Sequence, residues 1–117
     1  MKIVNYKDIE PAKTAPGVGA MPPGVAMRPV FGEKDGASIA MRVVEDEPSN
    51  ELPHGIHSHP WEHYVYVIDG RGIIITEKEE VEVGRGDCVF IPASEPHTIG
   101  PRAGSEPFLF IDCITKS

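Results

Sequence analysis

Cationic clusters, long apolar runs and paired cysteines are all missing from this chain of 117 residues. Lys and Arg number 11 against 18 Asp and Glu, for a formal charge of −7. With no Lys/Arg cluster to displace counterions from a phosphate backbone, nucleic acid is excluded as a natural ligand. No stretch approaches the roughly eighteen apolar residues of a membrane helix, and the N-terminus lacks the apolar core of a secretion signal. A soluble, cytoplasmic protein with no membrane partner is therefore expected. The two cysteines, Cys88 and Cys113, each stand alone in an apolar run and read as small buried hydrophobes rather than a disulfide. No segment carries a convincing amphipathic-helix period.

What is present is proline, glycine and short apolar runs. A chain of this length forms one domain and buries roughly two thirds of its unfolded surface. Residues 1–27 read as an arm: Ile3 to Tyr6 could form a short strand, and five prolines between Pro11 and Pro29 forbid a helix. Two arrangements suit such an arm, one lying on its own domain and one crossing to a second subunit. Residues 28–117 form the domain. Arg28 to Phe31, Ala37 to Val44, Tyr64 to Ile68, Gly72 to Thr76, Glu80 to Val83, Cys88 to Pro92 and Pro107 to Thr115 read as strands between Gly/Pro turns. The acidic stretch of residues 45–51 reads as a solvated loop, or alternatively as a lid. The fold class is all-β, a sandwich or barrel.

The chemistry is concentrated in His57-Ser58-His59-Pro60-Trp61-Glu62-His63. His57 and His59 are two apart, so on an extended strand both imidazoles point to one face and can reach one ion. Pro60 stops that strand, and His63 heads the next apolar run, where it can re-enter the same site. His54 lies just before this stretch, as a surface residue or one beside the ligands. His97 emerges far downstream at Pro96-His97, after two prolines have bent the chain inward.

These stretches resemble the two motifs of the cupins, G-x5-H-x-H-x3-4-E-x6-G and G-x5-P-x-G-x2-H-x3-N. His57, His59 and Gly70 match the first, and Gly86, Pro92 and His97 match the second in register. Glu51, Ser94 and Pro101 depart from the pattern, as does His63, which stands where a glutamate ligand is usual. The pattern is similar to that of a four-histidine subgroup of small single-domain cupins. The resemblance implies a jelly roll and a single divalent transition metal (Mn, Fe, Cu, Ni or Zn) on His57, His59, His63 and His97.

Four neutral imidazoles would leave a divalent ion its full charge, which favours an anionic ligand such as a carboxylate or enolate. In a six-coordinate ion two positions would stay open. Proton transfer would then need hydroxide on the ion or a nearby group such as Glu62, Tyr64 or Tyr66. Trp61, Tyr64 and Tyr66 read as core or dimer surface, or alternatively as a substrate platform, and Arg42 as a solvated sheet residue or, if its face is the interior one, a contact for an anionic substrate. Tyr64, Tyr66 and the Ile73-Ile74-Ile75 run offer apolar surface for a homodimer. The expected function is a metal-dependent oxygenase or other oxidoreductase acting on a small, partly apolar or anionic molecule in the barrel. The alternatives are a non-catalytic binding or sensing module and a purely structural ion.

Overall fold

A computed structural model describes residues 1–15, 19–48, 55–104 and 106–115. Ten strands are assigned among them: β1 (Thr14–Ala15), β2 (Gly19–Ala20), β3 (Val25–Phe31), β4 (Ala40–Asp46), β5 (His63–Asp69), β6 (Arg71–Thr76), β7 (Glu80–Gly84), β8 (Cys88–Ile91), β9 (His97–Pro101) and β10 (Phe108–Ile114). They form a five-stranded sheet in the order β3-β4-β10-β5-β8, a three-stranded sheet in the order β7-β6-β9, and the small β1-β2 ribbon. The helical turns are short, and no helix among the described residues is long and apolar enough to cross a membrane.

Period-two alternation explains how the two larger sheets meet. In β10 every second residue is buried, namely Phe108, Phe110, Asp112 and Ile114; in β5 these are His63, Val65 and Val67. Phe108, Phe110, Val65, Val67, Val44 and Met27 of the large sheet share one core cluster with Ile74 and Val83 of the small one. The result is a jelly-roll sandwich. Two glycines hold it close: Gly70 turns β5 into β6 at φ +76°, and its Cα faces the Pro107 carbonyl, while Gly72 lies against the Phe108 ring. A side chain at either position meets occupied space.

Several local expectations change. The short strand expected at Ile3 to Tyr6 does not form: Tyr6–Asp8 is a 3-10 turn, capped by the Asn5 side chain, which accepts from the Lys7 amide. The boundary between arm and domain falls inside β3, which begins at Val25. Ala15 packs in the core, and the Ala12 amide donates to the Met27 carbonyl, 2.8 Å away. Strand β4 runs on through Glu45 and Asp46, which pair with Leu109 and Phe108, so the acidic connection starts later than expected. Its residues 49–51, and with them most of the lid reading, lie outside the described residues, as does His54. Strand β9 escapes a sequence reading because Gly100 and Pro101 weaken its pattern; as an edge strand it tolerates the missing proline donor. Cys88 is exposed and Cys113 half-buried, because both take the outward phase of their strands; both are free thiols. Ile73 and Ile74 are buried on the central strand of the small sheet, and offer no free surface to a partner.

Candidate metal centre

His57 is held by an isolated antiparallel bridge to His97, with reciprocal backbone hydrogen bonds of 2.9 and 2.8 Å. That bridge brings the two sequence motifs together. Next to it, the Ser94 amide donates to the His59 carbonyl at 2.7 Å. Ser94 adopts φ +67°, the left-handed conformation that the usual glycine of this motif would take without strain. It is the one non-glycine residue with positive φ among the described residues.

The four rings converge. His57, His59 and His97 each place a ligand nitrogen within 4.8 Å of the others. The His63 ring centroid lies 5.3 Å from that of His59 and 4.9 Å from that of His97. Their hydrogen bonds decide which nitrogen faces inward. His97 Nδ1 contacts the Glu95 carbonyl at 2.8 Å, and His63 Nδ1 contacts the Asp112 carboxylate at 3.0 Å. Both partners are acceptors, so each Nδ1 carries the proton and each Nε2 keeps its lone pair. His63 Nε2 is buried and has no hydrogen-bond partner, an orphan that a metal ion would satisfy. His57 Nδ1 approaches the Gly55 carbonyl at 3.4 Å. His59 is fixed differently, by the Trp61 ring stacked on it with centroids 4.6 Å apart and planes 3° apart. Trp61 is thus buried beside a ligand candidate.

At His59 and His97 the surroundings favour the neutral imidazole that metal ligation requires. Burial, and then the neighbouring His57, His63 and His97, lower His59 to about 4. Burial also lowers His97. Asp112 would be raised by burial, but its hydrogen bond with His63 and the Arg42 guanidinium outweigh this and hold it below the usual carboxylate range. Arg42 Nε and Nη2 both donate to Asp112 Oδ2, at 3.1 and 3.0 Å. Arg42 is therefore no solvated sheet residue: its phase on β4 turns it inward, where the Asp112 carboxylate holds it. A carboxylate behind a ligating imidazole fixes ring orientation and raises its basicity.

The rings open on a cavity of about 820 Å³. Met27, Val44, Val65, Ile91, Ile99 and Phe110 give it an apolar wall, and residues 20–24 of the arm line it as well. Tyr64 and Tyr66 do not reach it. They occupy the outward phase of β5 at 48% and 47% exposure, with the Tyr64 hydroxyl donating to Glu62 Oε1. These three side chains are in no position to move protons in the cavity. Two residues that a motif search overlooks are Asp112 and Asp46, both buried carboxylates in the inward phase of their strands. The signal was the charge itself, set in the apolar phase of an alternating run.

A family model for the cupin domain matches residues 42–114. Among curated proteins, the uncharacterized protein MJ1618 of Methanocaldococcus jannaschii is 34% identical over 59 residues, which is 50% of this chain and 46% of that protein. The match thus spans about half the length of that relative. Among solved structures, the polyketide cyclase RemF from Streptomyces resistomycificus is 27% identical with a TM-score of 0.80, covering 97% of this chain and 78% of that one. A cupin 2 domain-containing protein from Halorhodospira halophila is 22% identical (TM-score 0.68, covering 78% of this chain and 63% of that one). KdgF from a Halomonas species is 19% identical (TM-score 0.66, 80% and 81%). The last two are alike in fold alone.

Proposed function

The chain belongs to the cupin family, and from that premise we propose that it is a metal-dependent enzyme acting on a small, partly apolar molecule with an enolisable carbonyl or carboxylate. The observation that carries this reading is the cluster of His57, His59 and His97 nitrogens, with the His63 ring and its orphaned buried Nε2 packed against it, at the wall of a largely apolar cavity. His57, His59, His63 and His97 would hold one divalent transition metal, of Mn, Fe, Cu, Ni or Zn. Such an ion, bound by neutral ligands only, supplies positive charge that stabilises an enolate or carboxylate oxygen and, if redox-active, couples to dioxygen. The residues of the chain do the rest. Asp112, clamped by Arg42, keeps the proton of His63 on Nδ1, and the apolar wall excludes water from the carbonyl. Asp112 is itself committed to these two partners and is not a free base.

Enolisation is shared by two reaction classes. Oxygenation is the one expected from the sequence; redox-neutral ring closure is favoured by the likeness to the Streptomyces polyketide cyclase. Metal-loaded protein incubated with simple β-diketones, and with linear poly-β-ketones long enough to close a six-membered ring by aldol condensation, separates them. Oxygen uptake with oxygen gained in the product supports oxygenation, and loss of water without oxygen uptake supports ring closure. Saturable binding without turnover of either kind, with each of the five metals, would make the protein a binding module instead. A homodimer in the cytoplasm belongs to the same proposal. Its support is the exposed aromatic patch of Tyr64, Tyr66 and Phe90, in which the Tyr64 and Phe90 rings lie 5.2 Å apart.

A further inference from the structure

Asp46 lines the same cavity as the four histidines, yet none of the metal chemistry uses it. It is 3% exposed, its Oδ1 is buried, and it has no hydrogen-bond or ion-pair partner among the described residues. A buried carboxyl without a partner costs stability, and its position points to a ligand that completes it. Its place in the fold is set by register. On β4, Arg42 pairs with Asp112, the residue that holds His63, whereas Asp46 pairs with Phe108 at the other end of β10. Four residues at about 3.3 Å each put Asp46 roughly 13 Å along the strand from Arg42. Between the two, Val44 and Phe110 present apolar surface.

We propose that Asp46 is a second polar anchor in the cavity, which donates a hydrogen bond to a carbonyl oxygen of an elongated, otherwise apolar ligand. The Asp46 end stands on its own; that the far end of the ligand carries an anionic oxygen to the imidazoles rests on the function proposed above. The carboxyl is suited to donate, because burial pushes it up to about 7. The charged groups around it do not oppose this. Glu45 on β4 and Glu47 just beyond its end flank it, and Arg42 lies four residues away on the same strand. Arg28 is three residues from its β3 partner Val25, Asp112 four from its β10 partner Phe108, and His97 begins β9. None of them forms a hydrogen bond or ion pair with it, and residues 20–24 of the arm carry no charge.

The test uses the metal-loaded full chain and three probes: medium-chain alkanoates, the same acids with a ketone near the far end, and neutral medium-chain methyl ketones. Calorimetry is expected to show the keto acids binding on the order of tenfold tighter than the parent acids at one optimal length, below pH 7. That preference should vanish above pH 8 in the wild type, and at all pH values in Asp46→Val. If alkanoates show no metal-dependent binding but methyl ketones bind in an Asp46-dependent way, the anchor stands and the metal-end reading fails. If neither carbonyl probe gains from Asp46, by variant or by pH, the proposal is overturned. The pH comparison needs no variant, so a poorly folding Asp46→Val would not remove the test.

Discussion

Asp112 shows how much one side chain can carry. It accepts from His63 and from two nitrogens of Arg42, and it is buried in the middle of the large sheet. Asp112→Asn keeps the shape but loses the charge that orders His63, so metal affinity should fall by roughly 10- to 100-fold, read by competition with a chromogenic chelator. His57→Ala or His97→Ala should lose the metal outright and lower the melting temperature. Asp46 makes the opposite kind of contribution. Its carboxyl keeps a proton up to about 7 in the folded chain against 3.8 unfolded, so folding takes up a proton between those values. Its contribution to stability is complete below about pH 4 and is lost as pH rises to 7. Asp46→Asn should therefore raise the melting temperature at pH 8, by something on the order of 5 °C, and change it little at pH 4. Equal shifts at both pH values would show that the carboxyl is not protonated in the fold. His57, His59 and His63 were legible in the sequence because their spacing is local, and His97 because it stands in register in the second motif. Arg42 and Asp46 were not, because what surrounds them arrives from β10, some seventy residues on for the Arg42–Asp112 pair.

At the scale of single elements, two sites show backbone geometry at work. Ser94 sits at φ +67° in the turn that delivers an amide to the His59 carbonyl. Ser94→Gly should stabilise the protein by about 1 kcal/mol, measured by urea unfolding, with metal affinity unchanged or improved. The substitution was visible in the sequence as a departure from the motif, but the conformation that gives it meaning was not. Gly72 faces the opposite demand. An added methyl would enter the Phe108 ring, one of the two largest fully buried side chains, so Gly72→Ala should cost about 2–3 kcal/mol in the same assay. The strands β3 to β8 and β10 were readable from alternation and turn residues. Strand β9 was not, since an edge strand ending in Gly100-Pro101 has no pattern to read and exists because β6 pairs with it.

For the whole molecule, one face of the sandwich is built inward and the other outward. The inward face of β5, β10 and β4 carries His63, Asp112, Arg42 and Asp46 into one cavity, whereas the outward face presents Tyr64, Tyr66 and Phe90, the last at 53% exposure. If that patch is the dimer surface, Phe90→Glu should convert a dimer to a monomer in light scattering while leaving metal content intact. A wild-type monomer would remove the dimer from the account. The arm is tested alongside it: a chain beginning just before Val25, so that β3 is kept whole, stays dimeric if the arm lies on its own domain and loses the dimer if the arm is exchanged.

The central claim is that four neutral imidazoles hold one ion with room for an exogenous ligand. The most direct measurement is elemental analysis of protein purified without chelator or metal-affinity tag, followed by electron paramagnetic resonance of the same sample with and without a small carboxylate. The expected result is about one divalent transition metal per chain, lost in His97→Ala, with a spectrum, where the ion is paramagnetic, that changes when the carboxylate is added. A protein without metal, or an ion whose environment no added ligand alters, would contradict it.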